Sequence, residues 1–195
     1  MRKYTNVTSL ALILSFMAFG SVAQAQEGDS YVAAAVGSAT TTFSGFSASS
    51  TGFRVGYGKR TSENLAIEGY YISSGSGTIT NQYYTDSYET FKASTTTFQV
   101  QAVGYVPMQP SMELFGKAGL AMWSTDWDYT DVYLGSLYAT GSGKESGTNL
   151  VYGFGLDYKL QGGTKIRAEY EVLATKIGSA SADVTTISVG FFYNL

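Results

Sequence analysis

Apolar and polar residues alternate with a period of two along most of the chain beyond residue 25. The alternation is clearest over residues 150–160, where LVYGFGLDYKL places large apolar side chains on one face and Val, Gly, Asp and Lys on the other. Residues 164–174 and 184–195 repeat this pattern. Successive side chains of a β-strand point to opposite faces, so this period predicts an all-β chain.

The alternating segments number eight and recur at regular spacing. Their ranges are 30–42, 51–59, 64–74, 94–106, 112–124, 148–160, 164–174 and 184–195. Each offers the ~9–11 residues that a tilted transmembrane strand needs. The connections alternate between short (59–63, 107–111, 161–163) and long (43–50, 75–93, 125–147, 175–183). This asymmetry predicts an eight-stranded antiparallel up-and-down transmembrane β-barrel in which the last strand pairs with the first.

The composition of the two strand faces favours a membrane barrel over a soluble sandwich or a lipocalin-like barrel. The less apolar face is largely Gly and Ser with single charges. Glycine weakens a solvated strand but leaves room inside a narrow barrel. Tyrosines at strand ends are typical of the aromatic girdles at membrane interfaces. We predict this role for Tyr57, Tyr105, Tyr158 and Tyr193.

The first 25 residues have the three parts of a secretory signal peptide. Arg2 and Lys3 are basic, residues 10–19 are apolar, and residues 23–25 read Ala-Gln-Ala. Such a leader is cleaved, and ten apolar residues are too few to serve as a membrane anchor. We predict a signal peptide at 1–25 and a barrel domain at 26–195. Removing two basic residues changes the formal net charge from −3 to −5, which argues against nucleic-acid binding.

The chain contains neither cysteine nor histidine. Their absence excludes disulfides, zinc–thiolate sites, thiol nucleophiles and Ser–His triads. Small outer-membrane barrels that modify lipid A resemble this chain only in size and architecture, and they rely on a histidine. Glu169 and Glu171 share a strand face, but nearby Arg167 and Lys117 favour an ion-paired interpretation. We therefore predict no enzymatic activity and no cofactor.

The sequence resembles the eight-stranded transmembrane domain of the outer membrane protein A family over essentially all of 26–195. The resemblance rests on Glu68-Gly-Tyr-Tyr, Lys117-Ala-Gly-Leu-Ala-Met-Trp, Gly155-Leu-Asp-Tyr, Arg167-Ala-Glu-Tyr and Ile187-Ser-Val-Gly-Phe-Phe-Tyr-Asn-Leu195. It implies the bacterial outer membrane and, through the last strand, insertion by the barrel assembly machinery. That strand departs from the family by ending in Leu195 where the family favours Phe. The peptidoglycan-binding domain of the best-known member is absent, so no cell-wall role is carried over.

Strand parity places a set of charged residues in the lumen. They are Arg54, Glu68, Lys117, Asp157, Arg167, Glu169 and Glu171. Side chains fill a barrel of eight strands, and buried charges there must pair. The resembled family keeps a similar network, which Glu68, Asp157, Arg167 and Glu169 match. Its strand-four lysine has no match here, and Gln99 or Gln101 takes that place. We predict a closed plug, with a narrow ion path as the alternative.

The two longest connections, 75–93 and 124–147, are rich in aromatic and acidic residues. Tyrosine and tryptophan among small polar residues suit adhesion. The candidates are Tyr83, Tyr84, Tyr88, Trp127, Tyr129 and Tyr133. We prefer the interpretation that the strands continue past the membrane as a hydrogen-bonded rim, with the acidic residues solvating it. Asp126, Asp128 and Asp131 form a weak candidate for Ca²⁺, because the Gly and distal Glu of an EF-hand loop are missing.

These patterns together predict a non-enzymatic integral outer-membrane protein with a structural or envelope role and surface-displayed loops. We expect a monomer surrounded by outer-membrane lipid and lipopolysaccharide. The alternatives are a narrow ion channel through the charged lumen and an adhesin acting through the two long connections.

Overall fold

The computed structural model describes residues 29–43, 46–177 and 180–195. The predicted signal peptide lies outside these residues. The described chain forms strands β1 (Ser30–Phe43), β2 (Phe46–Ser62), β3 (Leu65–Tyr84), β4 (Ser87–Gln109), β5 (Met112–Tyr133), β6 (Ser136–Lys159), β7 (Thr164–Ile177) and β8 (Ala180–Asn194). A short 3₁₀ turn at Gln161–Gly163 joins β6 to β7. No helix in the described residues is long and apolar enough to cross a bilayer.

The eight strands form one closed antiparallel barrel. Each strand pairs with its neighbours in the chain, and β8 pairs with β1 from Tyr31↔Asn194 to Phe43↔Ala182. Closure gives every strand a hydrogen-bonding partner on both sides, which a hydrocarbon environment requires because it offers no water. The fold class predicted from the sequence is confirmed.

An apolar band surrounds the outside of the barrel and ends abruptly on β4, β5 and β6. Its outward side chains are exposed and include Phe98, Val100, Val106, Leu114, Leu120, Met122, Leu150, Tyr152 and Phe154. The next outward residues on these three strands are Thr96, Ser124 and Thr148. The outward positions after them are mainly Ser, Thr, Lys and Asp. The change from apolar to polar side chains marks the outer limit of the lipid-facing surface.

The central strands continue far beyond this band. The predicted ends of β3 to β6 are therefore wrong, whereas the interpretation of a hydrogen-bonded rim beyond the membrane is confirmed. These four strands have 20–24 residues, whereas β1, β2, β7 and β8 have 14–17. Most of 75–93 and 124–147 is therefore strand, joined by turns of two residues. Serine, threonine and glycine occur both in loops and in solvated strands, so the alternation of apolar and polar residues stops at the apolar band although the strands continue.

Beyond the band, β3 to β6 form an open four-stranded sheet, which we name the projecting sheet (residues 74–96 and 124–148). The β6–β7 ladder extends only as far as Val151↔Leu173, and the β2–β3 ladder only as far as Phe53↔Ser73. At the tip, Gly135 N donates to Asp86 O at 2.7 Å and Leu134 N donates to Ser87 Oγ at 3.1 Å. These bonds join the two hairpins at their turns.

Glycines on the inward face make room for the large rings inside the barrel. A Cβ atom added to Gly155 would lie 2.6 Å from the Cζ atom of Phe115. It would lie closer still to the carbonyl oxygen of Ala168. Gly116, which points outward, has no atom within 4 Å of such a Cβ. The two glycines therefore provide a matched pair of substitution sites, one tightly packed and one open.

We expect Gly155→Ala to lower the free energy of unfolding by about 1–3 kcal/mol, because overpacking forces neighbouring groups to shift. Gly116→Ala should be neutral or slightly stabilising, since alanine loses less backbone entropy on folding. Urea unfolding of detergent-refolded protein measures both. Equal midpoints for the two variants would contradict this account of the lumen.

Candidate functional site

Arg167 lies at the centre of the charged lumen. Its guanidinium group donates to both carboxylate oxygens of Glu68 at 2.9 and 3.0 Å, and to both oxygens of Asp157 at 2.7 and 3.0 Å. Lys165 makes a further ion pair with Asp157 at 3.0 Å. Two neighbouring strands, β6 and β7, position Asp157 opposite Arg167 in register, whereas Glu68 reaches it across the lumen.

Three tyrosine hydroxyl groups complete the surroundings of Glu68. Tyr31 donates to it at 2.5 Å, Tyr70 at 3.1 Å and Tyr105 at 3.2 Å. Tyr105 was predicted to lie at the membrane interface, and this is wrong because its side chain is only 3% exposed inside the barrel. Its odd position on β4, shared with Gln99 and Gln101, was the signal that it points inward.

A second ionic cluster lies next to the first along the barrel, on the side of the projecting sheet. Arg54 and Lys117 each contact both Glu169 and Glu171, with the Lys117–Glu169 pair at 2.6 Å and the Arg54–Glu171 pair at 3.2 Å. Gln99 donates to Glu171 at 2.8 Å. The seven charged residues that strand parity placed in the lumen are thus all inside and at most 5% exposed.

A third ionic cluster at the short-turn end was missed from the sequence. Glu113 pairs with Arg60 at 2.6 Å and with Lys159 at 2.9 Å. Arg60 also stacks 3.7 Å from the ring centre of Tyr105. Glu113, Lys159 and Lys165 lie within the predicted segments 112–124, 148–160 and 164–174, where the parity of the lumen residues already marks them as inward. Arg60 lies one residue beyond the predicted segment 51–59, and continuing the alternation would have found it.

A layer of packed apolar side chains lies in the lumen between the ionic clusters and the projecting sheet. It consists of Ala39, Ala121, Trp123, Val151, Leu173 and Val184, all buried. Trp123 is held in place by a 2.7 Å hydrogen bond from its indole nitrogen to Asn149. Paired charges and packed apolar groups thus occupy successive levels of the described interior.

The other three predicted interface tyrosines point outward. Tyr57 and Tyr193 are exposed and Tyr158 is half-buried, and all three lie towards the short-turn end of their strands. Tyr57 donates to Ser30 Oγ at 2.7 Å. A row of outward aromatic rings, Phe53, Tyr71 and Phe98, lies nearer the projecting sheet, with ring centres 6.3 and 5.1 Å apart.

The six aromatic adhesion candidates are divided between the faces of the projecting sheet. Tyr83, Trp127, Tyr129 and Tyr133 lie on the inner face, which continues the lumen wall. Tyr88 lies on the outer face, and Tyr84 is at the tip and is 72% exposed. The rings of Trp127 and Phe91 are stacked, with their centres 6.5 Å apart, and Trp127 lies opposite Gly143 of β6.

The weak Ca²⁺ candidate is not assembled. Asp126 and Asp128 point to the outer face of β5, whereas Asp131 lies on the inner face, because odd and even positions of one strand face opposite ways. Asp126 pairs instead with Lys144 at 3.5 Å. Within the residues that the structure describes, no three His, Cys, Asp or Glu side chains are grouped as a metal site would need.

Comparisons with known proteins agree with this geometry. The family model of the outer membrane protein β-barrel domain matches residues 9–194. Neisserial surface protein A is similar with a TM-score of 0.61 and 19% identity, covering 86% of this chain and 99% of that one. Ail, the attachment invasion locus protein of Yersinia pestis, has a TM-score of 0.52 and 16% identity over 86% of this chain and 100% of that one.

OprG from Pseudomonas aeruginosa is also similar, with a TM-score of 0.53 and 13% identity over 88% of this chain and 98% of that one. At such low identities the likeness concerns the fold alone. No curated protein sequence matches the chain significantly.

We expect Arg167→Met to lower the free energy of unfolding by about 3–5 kcal/mol, because it leaves Glu68 and Asp157 buried without their shared cation. Lys144→Met breaks an exposed pair and should cost at most about 1 kcal/mol. Urea titration of refolded protein, followed by tryptophan fluorescence and heat-modifiable gel mobility, distinguishes them. If both variants unfolded at the wild-type urea concentration, the network would not hold the barrel together.

Proposed function

Because the chain belongs to the outer membrane protein β-barrel domain family, we propose that it acts without catalysis, as an anchor for the projecting sheet. The protein is an integral component of the bacterial outer membrane. In this proposal the barrel fixes the sheet in the membrane, and the sheet presents a recognition surface to the exterior.

The observation that carries the proposal is the unequal length of the strands. On β4 the strand continues from Thr96 to Ser87 beyond the apolar band, which corresponds to roughly 30 Å of extended chain. A barrel whose sole task was to span the membrane would need no such extension. The ladder between β4 and β5 continues to Tyr88↔Val132, so the extension is a hydrogen-bonded sheet and not a pair of loose loops.

The filled lumen favours an anchor over an ion channel. Six basic and five acidic side chains are buried in the interior and are mutually paired. An ion crossing the barrel would have to displace these pairs and then pass the apolar layer around Trp123. Both steps oppose conduction, since unpaired charges are costly in a low-dielectric interior.

Adhesion is the second candidate, and the exposed aromatic residues at the tip favour it. Tyr83, Tyr84, Tyr133 and Tyr138 are all more than half exposed. Tyrosine supplies large contact area at low entropic cost. Ail, whose name denotes attachment, was also solved with the heparin analogue sucrose octasulfate. The projecting sheet carries six carboxylates and two lysines, so its charge disfavours a polysulfated ligand.

The closed sheet also bears on the assembly and surroundings of the protein. No strand edge is left unpaired within the apolar band, so no strand needs a second copy in order to be satisfied. This supports a monomer. We propose outer-membrane lipid around the band, lipopolysaccharide beside the rim, and insertion by the barrel assembly machinery through β8.

Cysteine labelling in intact cells tests the display of the sheet. The chain has no native cysteine, so Thr85→Cys at the β3–β4 turn and Gln109→Cys at the β4–β5 turn each provide one label site. A membrane-impermeant maleimide should react with Thr85→Cys alone, and both variants should react after lysis. Labelling of Gln109→Cys alone in intact cells would contradict the proposed orientation.

Planar-bilayer recording tests the anchor against the channel. Refolded wild-type protein should produce no stable open-state conductance, because the lumen is filled. A steady conductance that changes with Glu68→Ala would favour the ion path and count against the plug. Folding of each sample is checked by heat-modifiable mobility, so that a silent bilayer cannot come from unfolded protein.

A further inference from the structure

An open cleft of about 310 Å³ lies at the tip of the projecting sheet. We name it the tyrosine cleft, and its lining residues are Tyr83, Tyr84, Ser87, Asp131, Val132 and Tyr133. Its volume lies at the lower end of the ~300–1,000 Å³ range of ligand pockets. Three aromatic rings and one carboxylate therefore face a space large enough for a small organic group.

The carboxylates at this cleft are unequally engaged. Glu89 of β4 stands directly opposite Asp131 of β5, and it accepts hydrogen bonds from Tyr83 at 2.8 Å and Tyr129 at 3.3 Å. Asp131 forms no ion pair with any basic side chain among the residues that the structure describes. Like charges directly opposite each other destabilise a sheet, and this cost makes a cation beside Asp131 favourable.

The surroundings of the cleft are electrically negative. The hydrogen bond to Glu89, some burial and the charges of Glu89 and Asp131 raise the pKa of the Tyr83 hydroxyl. Burial and the same two carboxylates raise the pKa of Tyr129. The two lysines of the projecting sheet, Lys92 and Lys144, both point to its outer face. No positive charge of the described sheet offsets the carboxylates on the inner face.

The tip that holds these residues is well ordered by hydrogen bonds. Ser87 is buried and accepts from Leu134 N, which links the β5–β6 turn to the β3–β4 hairpin. The rings of Tyr138 and Tyr133 meet edge-on, with their centres 6.4 Å apart. Preformed positions reduce the entropy lost when a ligand binds.

We propose that the tyrosine cleft binds an organic ammonium group, which contacts the tyrosine faces and pairs with Asp131. Aromatic rings attract cations through their electron-rich faces, and a quaternary ammonium among aromatic residues is a common form of such recognition. The inference deepens the proposed function, because it gives the displayed sheet a ligand class. A polyanion is disfavoured by charge, and among the described residues no third acidic side chain joins Glu89 and Asp131 to hold a bare metal ion.

Choline titration of the refolded protein tests the site. The detergent is an uncharged maltoside, so that it does not compete as a cation, and saturation-transfer NMR follows the choline methyl groups. We expect saturable binding with a Kd on the order of millimolar, which is typical of an exposed cation–π site. The neutral isostere 3,3-dimethylbutanol should bind at least about fivefold more weakly, since it keeps the shape and loses the charge.

Matched variants identify the residues responsible. Asp131→Asn and Tyr133→Leu should each weaken choline binding about two- to fivefold or more. Asp128→Asn and Tyr88→Leu change the same residue types on the outer face of the same sheet, and they should leave binding unchanged. No saturation, equal binding of the isostere, or equal effects of the inner-face and outer-face variants would overturn the proposal.

Further ligands separate the possible sources of the ammonium group. N-acetyl-lysine methylamide represents a protein side chain, and choline represents a lipid headgroup. Whichever binds most tightly, with the same dependence on Asp131 and Tyr133, identifies the source. Calcium binding that Asp131→Asn abolishes and Tyr133→Leu does not affect, without ammonium binding, would instead indicate a metal site and overturn the proposal. The titration uses purified protein, so its failure is distinct from a failure of surface labelling.

Discussion

The constraint on which the structure depends is that a bilayer offers no partner to backbone N–H and C=O groups. A sheet inside it must close on itself, and eight strands close into a lumen that side chains fill. The enclosed lumen and its ionic clusters therefore depend on the pairing of β8 with β1. Because the outer faces meet lipid, charged side chains on the strands within the apolar band are restricted to the interior, where each needs a partner.

The ionic clusters follow from this restriction. Arg167 serves two carboxylates from different sides of the lumen, and the Glu169–Glu171 pair is neutralised by Arg54 and Lys117. Breaking such a pair costs more than its formation contributes, because the remaining charge stays buried. The network thus specifies one packing of the interior and gives the barrel a fixed frame on which a sheet can project.

Beyond the lipid the same constraint no longer applies. Water can satisfy the edges of a sheet there, so the β2–β3 and β6–β7 ladders end while β3 to β6 continue. The lumen face of these strands then becomes a surface open to solvent. The residues on it change accordingly, from paired charges to tyrosines, tryptophan and carboxylates. The proposed recognition surface is thus a continuation of the barrel wall after closure is no longer required.

Within the apolar band the sequence by itself determined which face the strand residues occupy, because the alternation is local: the positions of Glu68, Lys117 and Arg167 could all be predicted from parity. It also held the signal for Tyr105, whose odd position on β4 places it inside the barrel although it lies near a strand end. Only the tertiary structure decided where the extended strands end and how they pair, since Gly143 and Gly147 lie in the ladder opposite Trp127 and Trp123, where the apolar alternation has already stopped. It also decided which charges meet across the lumen, and that Tyr83, Asp131 and Tyr133 share one cleft, because these contacts join residues distant in sequence and depend on the register between strands.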